Sequence, residues 1–439
     1  MKKITIFVLV VVNCYLVLAK IPLQQAIKNG IRKNITIQNN LLEQKSLKLE
    51  KKNRDMQKWF ALHMGGSYVF KSQQMEITFS DVQINEGISI PMEPIIVGAK
   101  HNYDLKLAIT QPLFTGNILP NQAKLKHIQF EMEKNNTRLN TIEIITRIKM
   151  SYFSYRRLVS KLDSLKALLK SLTLHHKKLK DFYQEDLVKK SDLLETESRI
   201  QEQLLNLEEI RKLISQEKIY FKFLCDLNVE DINEDYREKI KTHRELVSYL
   251  KQNHPFLEFL NNQIQLFQIQ KKITSGEYLP QLVGFAEIHY GRPGIDYFSN
   301  DWSFYFQGGV SFDLKLFNWN QRKRNLKILN YSVEKVKNKK KNFNQEAEQH
   351  LSQLFEAKKS AENRLEIIEN LIRTSREEIE LKKELFQEQQ ISNKDYLASF
   401  TATERYISME KEYQLQVEII KVNINKLIGI LHDRFQEEI

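Results

Sequence analysis

The sequence predicts a mainly α fold with a membrane-spanning β part, built twice over within 439 residues. Three observations carry that expectation. The stretches Asn121 to His254 and Asn320 to Ile428 contain neither glycine nor proline, the residues that most disfavour helix interiors. Eleven of the thirteen glycines and six of the eight prolines fall instead between residues 60 and 120 or between 276 and 310, and inside those windows the apolar period changes to two. The order of these parts then recurs in the two halves of the chain.

At the N-terminus, Lys2 and Lys3 precede an apolar run from Ile4 to Val12, and Val17-Leu18-Ala19 offers the small residues a signal peptidase reads. Residues 1–19 are therefore read as a cleaved secretory signal. A retained anchor is the alternative, but the run is shorter than the roughly 20 residues a spanning helix needs, and Asn13 interrupts it. Cys14 follows Val-Val-Asn with apolar sequence behind it, which argues against lipidation. Cleavage leaves Cys225 as the one cysteine, so no internal disulfide is expected; it reads as a small apolar residue at a helix end. No later segment is apolar for long enough to span as a helix, so a crossing would be made by strands.

Four strands are expected, at about 60–70, 103–114, 282–290 and 302–316. In the last, Phe304, Phe306, Gly308, Val310, Phe312, Leu314 and Leu316 alternate with Ser303, Tyr305, Gln307, Gly309, Ser311, Asp313 and Lys315. Tyr103, Leu105, Leu107 and Ile109 alternate likewise with Asp104, Lys106, Ala108 and Thr110. Leu62, Met64, Gly66, Tyr68, Phe70 and Leu282, Gly284, Ala286, Ile288, Tyr290 are less regular, with His63, Ser67, Glu287 and His289 on their opposite faces. Trp59, Trp302 and Trp319 sit at strand ends, where interfacial aromatics of a membrane barrel belong. A soluble sheet with one buried face is the alternative, and it requires a helical layer over the apolar side.

Placing residue n beside n + 203 aligns Leu107-Ala108-Ile109 with Val310-Ser311-Phe312, Gln184-Glu185 with Gln387-Glu388, and Asp192 with Asp395. Before the strands the offset is 220, so the first strand pair has the longer loop, by 17 residues. Two repeats are expected, 20–226 and 227–439, each reading helix, strand, loop, strand, long helix, tight turn, helix. The long helices, about 120–185 and 320–385, would each measure about 100 Å. Their hairpin tips lie near 184–192 and 387–395. Helix-start signals follow the tips, Asp192 with Glu195 and Ser392 with Asp395, each pair three apart as a capping box requires.

The formal net charge is +12, or +10 without Lys2 and Lys3. The lysines alternate with glutamates along helical stretches such as Lys358 to Glu380, the pattern of solvated faces, so nucleic acid is not expected as a partner. His175-His176 lacks a completing cysteine or carboxylate pair and reads as part of a solvated face, with no metal site. No phosphate-cradling glycine loop or supported nucleophile–base arrangement appears. Neither an enzyme nor a cofactor is expected.

His254-Pro255 opens a helix, Leu279-Pro280-Gln281-Leu282 enters a strand, Gln111 to Asn117 and Phe312 to Asn318 form strand-to-helix junctions, and Phe182 to Leu194 and Leu385 to Leu397 form the tips. In their order and spacing these segments resemble the TolC-like outer-membrane efflux proteins over essentially the mature chain. The resemblance implies a homotrimer whose protomers give four strands each to a shared outer-membrane β-barrel and long helices to a trimeric α-barrel tunnel in the periplasm. It implies a passive exit channel for small molecules or proteins in tripartite efflux or type I secretion. Its partners would be a periplasmic adaptor (membrane fusion protein), an inner-membrane pump and outer-membrane lipid. By the same resemblance Asp395 and Asp192 fall at the periplasmic aperture, and Asp186, Leu187, Val188, Gln389, Gln390 and Ile391 at the adaptor-contacting tips. The chain departs from the family where a glycine followed by an apolar residue is usual in each tip: here stand Asp186-Leu187 and Gln389-Gln390. Phe386 and Ile391 occupy the places of a tyrosine and arginine clasp. A periplasmic coiled-coil adaptor or chaperone with a soluble β part is the remaining alternative.

Overall fold

The structure is a computed structural model and describes residues 20–85, 88–233 and 236–430. The expected signal segment, 1–19, lies outside the described residues. The described residues are mostly helical. In order, the elements are α1 Leu23–Lys33, α2 Ile35–Met56, β1 Ala61–Phe70, β2 Met75–Ile77, β3 Val82–Asn85, β4 Ile88–Ile90, β5 Ile95–Val97, β6 His101–Thr115, α3 Ile118–Gln184, α4 Lys190–Cys225, α5 His243–Asn253, α6 Pro255–Gly276, β7 Gln281–Arg292, β8 Ser303–Asp313, α7 Gln321–Gln387 and α8 Asn393–Ile428. Both α3 and α7 are 67 residues long, and both α4 and α8 are 36.

Two compact units divide the chain. The first comprises the residues up to Leu41, Lys134–Glu258 and Lys340 onward. Its helices bury apolar stripes at helical spacing: Leu23, Ala26, Ile27, Gly30 and Ile31 of α1 are all buried. They cluster with Ile145, Ile148 and Phe153 of α3, Phe221 and Leu224 of α4, and Val422 of α8. A second cluster joins Leu246 and Leu250 of α5 to Leu351 of α7 and Ile424 and Ile428 of α8. Cys225 is buried in the first cluster, where burial pushes its thiol up to about 11.

Near these clusters lies a buried ion pair, Lys149 Nζ to Glu238 Oε2 at 2.7 Å. Taking both charges out of water is costly unless every remaining lone pair is filled. Here Tyr236 Oη donates to Glu238 Oε2 at 2.7 Å and Asn425 Nδ2 to Oε1 at 2.7 Å, while the Glu238 amide donates to Glu418 Oε2 at 2.7 Å. The network ties α3, the segment after α4 and α8 together.

The second unit comprises Leu42–Glu133 and Phe259–Lys339. It holds one four-stranded antiparallel sheet in the order β1-β6-β7-β8. The chain enters it through a tight crossing: Gly116 has φ +58, and a Cβ on Gly116 or Gly276 would collide with the other's carbonyl. Two glycines are thus required where the backbones meet.

The structure corrects three expectations of detail. β8 ends at Asp313 rather than Leu316, because the chain turns into α7 through Trp319 and Asn320, both at positive φ. Asp192 does not cap α4 with Glu195 as partner. It sits one turn inside, where its Oδ2 accepts from the Lys189 amide at 3.0 Å; a run with acids three apart allows either register. The longer loop of the first strand pair also carries structure of its own, the two-stranded sheets β2-β5 and β3-β4.

Candidate functional site

Two surfaces concentrate the features singled out in the sequence, one in each unit. The first is the sheet. Register brings the alternating apolar residues of all four strands onto one face, with Leu62 opposite Ile109, Met64 opposite Leu107, Leu107 opposite Ile288, and Ile288 opposite Phe306. That face is open. Phe304, Phe306, Val310 and Phe312 are between 61% and 75% exposed, and Leu62, Met64, Leu105, Leu107, Ile109 and Ile288 are exposed too. A soluble sheet would bury such a face for about 1.5–3 kcal/mol per large side chain. β7, at 12 residues, spans about 40 Å fully extended and about 30 Å at a barrel tilt near 40°, the thickness of a hydrocarbon core.

Aromatic side chains bound this face at both ends. At one end Tyr103 lies 5.7 Å from Trp302 between ring centroids, Tyr290 lies 5.0 Å from Trp302, and Tyr290 lies 4.4 Å from Phe304. At the other, Trp59 and Phe60 precede β1, and Phe317 and Trp319 follow β8, all of them exposed. Trp302 directly precedes β8 and Trp59 stands just before β1, whereas Trp319 lies beyond the end of β8, next to the start of α7. The opposite face carries a polar network: His289 Nδ1 lies 2.9 Å from Asp104 Oδ1, and Gln307 Nε2 donates to Glu287 Oε2 at 2.6 Å. The sheet does not close: β1 and β8 are its edges.

The second surface is formed by the turns between α3 and α4 and between α7 and α8. Both turns close in the same way. The Leu187 amide donates to Phe182 O at 2.9 Å and the Gln390 amide to Leu385 O at 2.8 Å, with Asp186 at φ +58 and Gln389 at φ +60. These are Schellman-type ends, whose left-handed residue is ordinarily glycine. Asp186 and Gln389 thus hold the backbone conformation that glycine adopts most readily. Asp186, Leu187, Gln389 and Gln390 are exposed, and Val188 and Ile391 are half-buried.

Ser392 caps α8 as expected: its Oγ accepts from the Asp395 amide at 3.2 Å and donates to Asp395 Oδ2 at 2.6 Å. That hydroxyl holds the exposed Asp395 carboxyl below the usual carboxylate range. Asp192 is half-buried, its carboxylate engaged by the Lys189 amide.

Between the turns runs a link that the sequence reading missed. His175 Nε2 donates to Asn393 Oδ1 at 2.7 Å, and Asn393 Nδ2 reaches Asp192 O and Thr196 Oγ1, each at 3.3 Å. Asn393 is only 3% exposed. His175 also packs on Phe386 and Tyr396, with ring centroids 5.4 and 4.9 Å away. It is half-buried rather than part of a solvated face, and burial pushes its pKa down. The single signal available was Asn393 at the first position of α8, beside Ser392.

No family model and no curated protein matches the sequence. Solved structures do match the fold. The outer-membrane protein VceC from Vibrio cholerae superposes with a TM-score of 0.74 at 12% identity, covering 93% of this chain and 96% of its own. CusC gives 0.75 at 10% identity, covering 93% and 92%. The Campylobacter jejuni CmeC outer-membrane channel gives 0.73 at 12% identity, covering 95% and 89%. The chain has the TolC-like outer-membrane factor fold. Within that fold, the exposed apolar sheet belongs to the strand part and the paired turns to the ends of its long helical hairpins. The likeness runs through nearly the whole of each chain, so it covers both surfaces described above.

Proposed function

We propose that the protein is a passive exit channel of the bacterial outer membrane that extends into the periplasm and exports small molecules or proteins. It works with a periplasmic adaptor and an inner-membrane pump in a tripartite efflux or type I secretion system. The carrying observation is the uncovered apolar face of the sheet, bounded by aromatics at both ends and backed by a polar face. Lipid is the solvent that face fits, and a closed cylinder is the form in which sheet edges are tolerated in lipid. With four strands per copy and two free edges, three copies make a barrel of about 12 strands, within the known range for such barrels. The equal lengths of α3 and α7, and of α4 and α8, support an internal duplication that divides near residue 226. The protein carries out no chemistry on its cargo. Energy enters through the pump.

In this reading the α3–α4 and α7–α8 turns form the periplasmic aperture. Asp395, ionised and exposed, contributes a ring of three carboxylates, and Asp192 supports the neighbouring turn. Asp186, Leu187, Val188, Gln389, Gln390 and Ile391 meet the adaptor. A soluble adaptor or chaperone would have to cover Phe304, Phe306, Val310 and Phe312, and their exposure weighs against it.

The test is extraction and reconstitution. The protein should require detergent to leave the outer-membrane fraction, migrate as three copies and conduct ions in planar bilayers. A monomer that stays soluble in the periplasm without detergent ends the proposal. Asp395→Ala should weaken block of the conductance by trivalent cations several-fold, since a carboxylate ring binds polyvalent cations. Unchanged block removes Asp395 from the aperture.

A further inference from the structure

The start of α7 carries a charge density found nowhere else in the chain. Gln321 to Lys341 holds nine lysines and arginines against one acid, Glu334, in a protein whose whole net charge is +12. The corresponding start of α3, Ile118 to Asn140, has Lys124, Lys126, Lys134 and Arg138 against Glu131 and Glu133. The basic segment is thus a property of one half only.

Its first part, Arg322, Lys323, Arg324 and Lys327, is exposed, and among the described residues none of the four pairs with a carboxylate. Arg324 Nη1 donates to Trp319 O at 2.7 Å, and the Arg322 guanidinium stands 5.7 Å from the centre of the Tyr278 ring. These contacts hold the two arginines beside the end of the sheet where Trp319 stands. The first turn of α7 has no acidic residue, so three cations there work against the helix's own dipole. Helix stability does not account for them. Directly before them, Leu316 is 87% and Trp319 77% exposed.

We propose that Arg322, Lys323, Arg324 and Lys327 bind the headgroups of anionic phospholipids in the leaflet next to this end of the sheet. The proposal rests on the channel reading and deepens it by naming a lipid class. Apolar and aromatic side chains belong at the hydrocarbon boundary and cations one step outward, at the phosphates. Gln321 to Lys327 rises about 9 Å along the helix, close to the roughly 5–8 Å depth of one headgroup layer. Charge complementarity selects lipids with net negative headgroups over zwitterionic ones, and continuity with the apolar face selects a lipid over a free anion.

The detergent-solubilised full-length channel is titrated with phosphatidylglycerol or phosphatidylcholine, and retained lipid is counted by native mass spectrometry. Each cation near an anionic surface adds roughly fivefold in affinity, so the wild type should prefer phosphatidylglycerol by about tenfold or more at low salt. The preference should shrink as salt rises. The combined variant Arg322→Gln, Lys323→Gln, Arg324→Gln, Lys327→Gln should bring it within about twofold of unity, while Arg322→Lys with Arg324→Lys should keep it. Inorganic phosphate at matched ionic strength should not displace the lipid. Equal preference in the wild type and the glutamine variant overturns the proposal, as does displacement by inorganic phosphate. Conduction in bilayers of neutral lipid is measured alongside. A wild type that inserts and conducts without lipid preference sinks this proposal alone, whereas a wild type that never inserts sinks the channel reading beneath it.

Discussion

Gln389 and Asp186 sit in the same left-handed backbone conformation, but they do not bear it equally. A glutamine there carries a penalty of about 1 kcal/mol that an aspartate partly escapes through its short polar side chain. Gln389→Gly should therefore stabilise its turn by about 1 kcal/mol, read as slower amide exchange at Gln390 and Ile391, and Asp186→Gly should do less. Equal gains at both sites would contradict that account. His254 contributes a pH dependence. It is 6% exposed, and burial lowers its pKa to about 4, helped by Arg138 and opposed by its bond to Leu427. Because the ordinary value is 6.5, the unfolded chain takes up the proton first as pH falls. The share of stability that His254 controls is then lost progressively from pH 6.5 down to about 4, by roughly 3 kcal/mol per protomer. In urea titrations His254→Gln should flatten this slope; an unchanged slope would place the acid sensitivity elsewhere.

Among the elements, the strands were the most legible in the sequence. An apolar face and a polar face leave a period of two, so β1, β6, β7 and β8 could be read to within about three residues at each end. The two long helices showed equally well, since no glycine or proline falls within Asn121 to His254 or Asn320 to Ile428. The short strands β2 to β5 did not, because three or four residues are too few to show a period. Nor did the bond from His175 to Asn393, 218 residues apart, which exists only through the packing of two separate hairpins. The two faces of β8 predict opposite responses to the same substitution. Phe306→Lys places a charge on the exposed apolar face and should cost about 2–4 kcal/mol in a bilayer, lowering the yield of membrane-inserted protein. Gln307→Lys lies on the polar side beside Glu287 and should leave the yield near that of the wild type. Equal losses would mean that neither face meets lipid.

At the scale of the molecule, the sheet ends on two unpaired strands and offers its apolar side to whatever surrounds it. A single copy therefore has no comfortable resting form. Adrift in water it is a template for wrong partners, and alone in lipid its edges lack hydrogen bonds. In the proposed channel, copies must meet at about the time they enter the bilayer, and refolding into vesicles should fall off more steeply than in proportion as the protein is diluted. A yield that scales linearly with concentration would show that one copy can complete itself. If it cannot, the cell must escort each newly made copy and destroy those that miss their companions, and the number of working pores will follow the rate of synthesis as a threshold rather than a line.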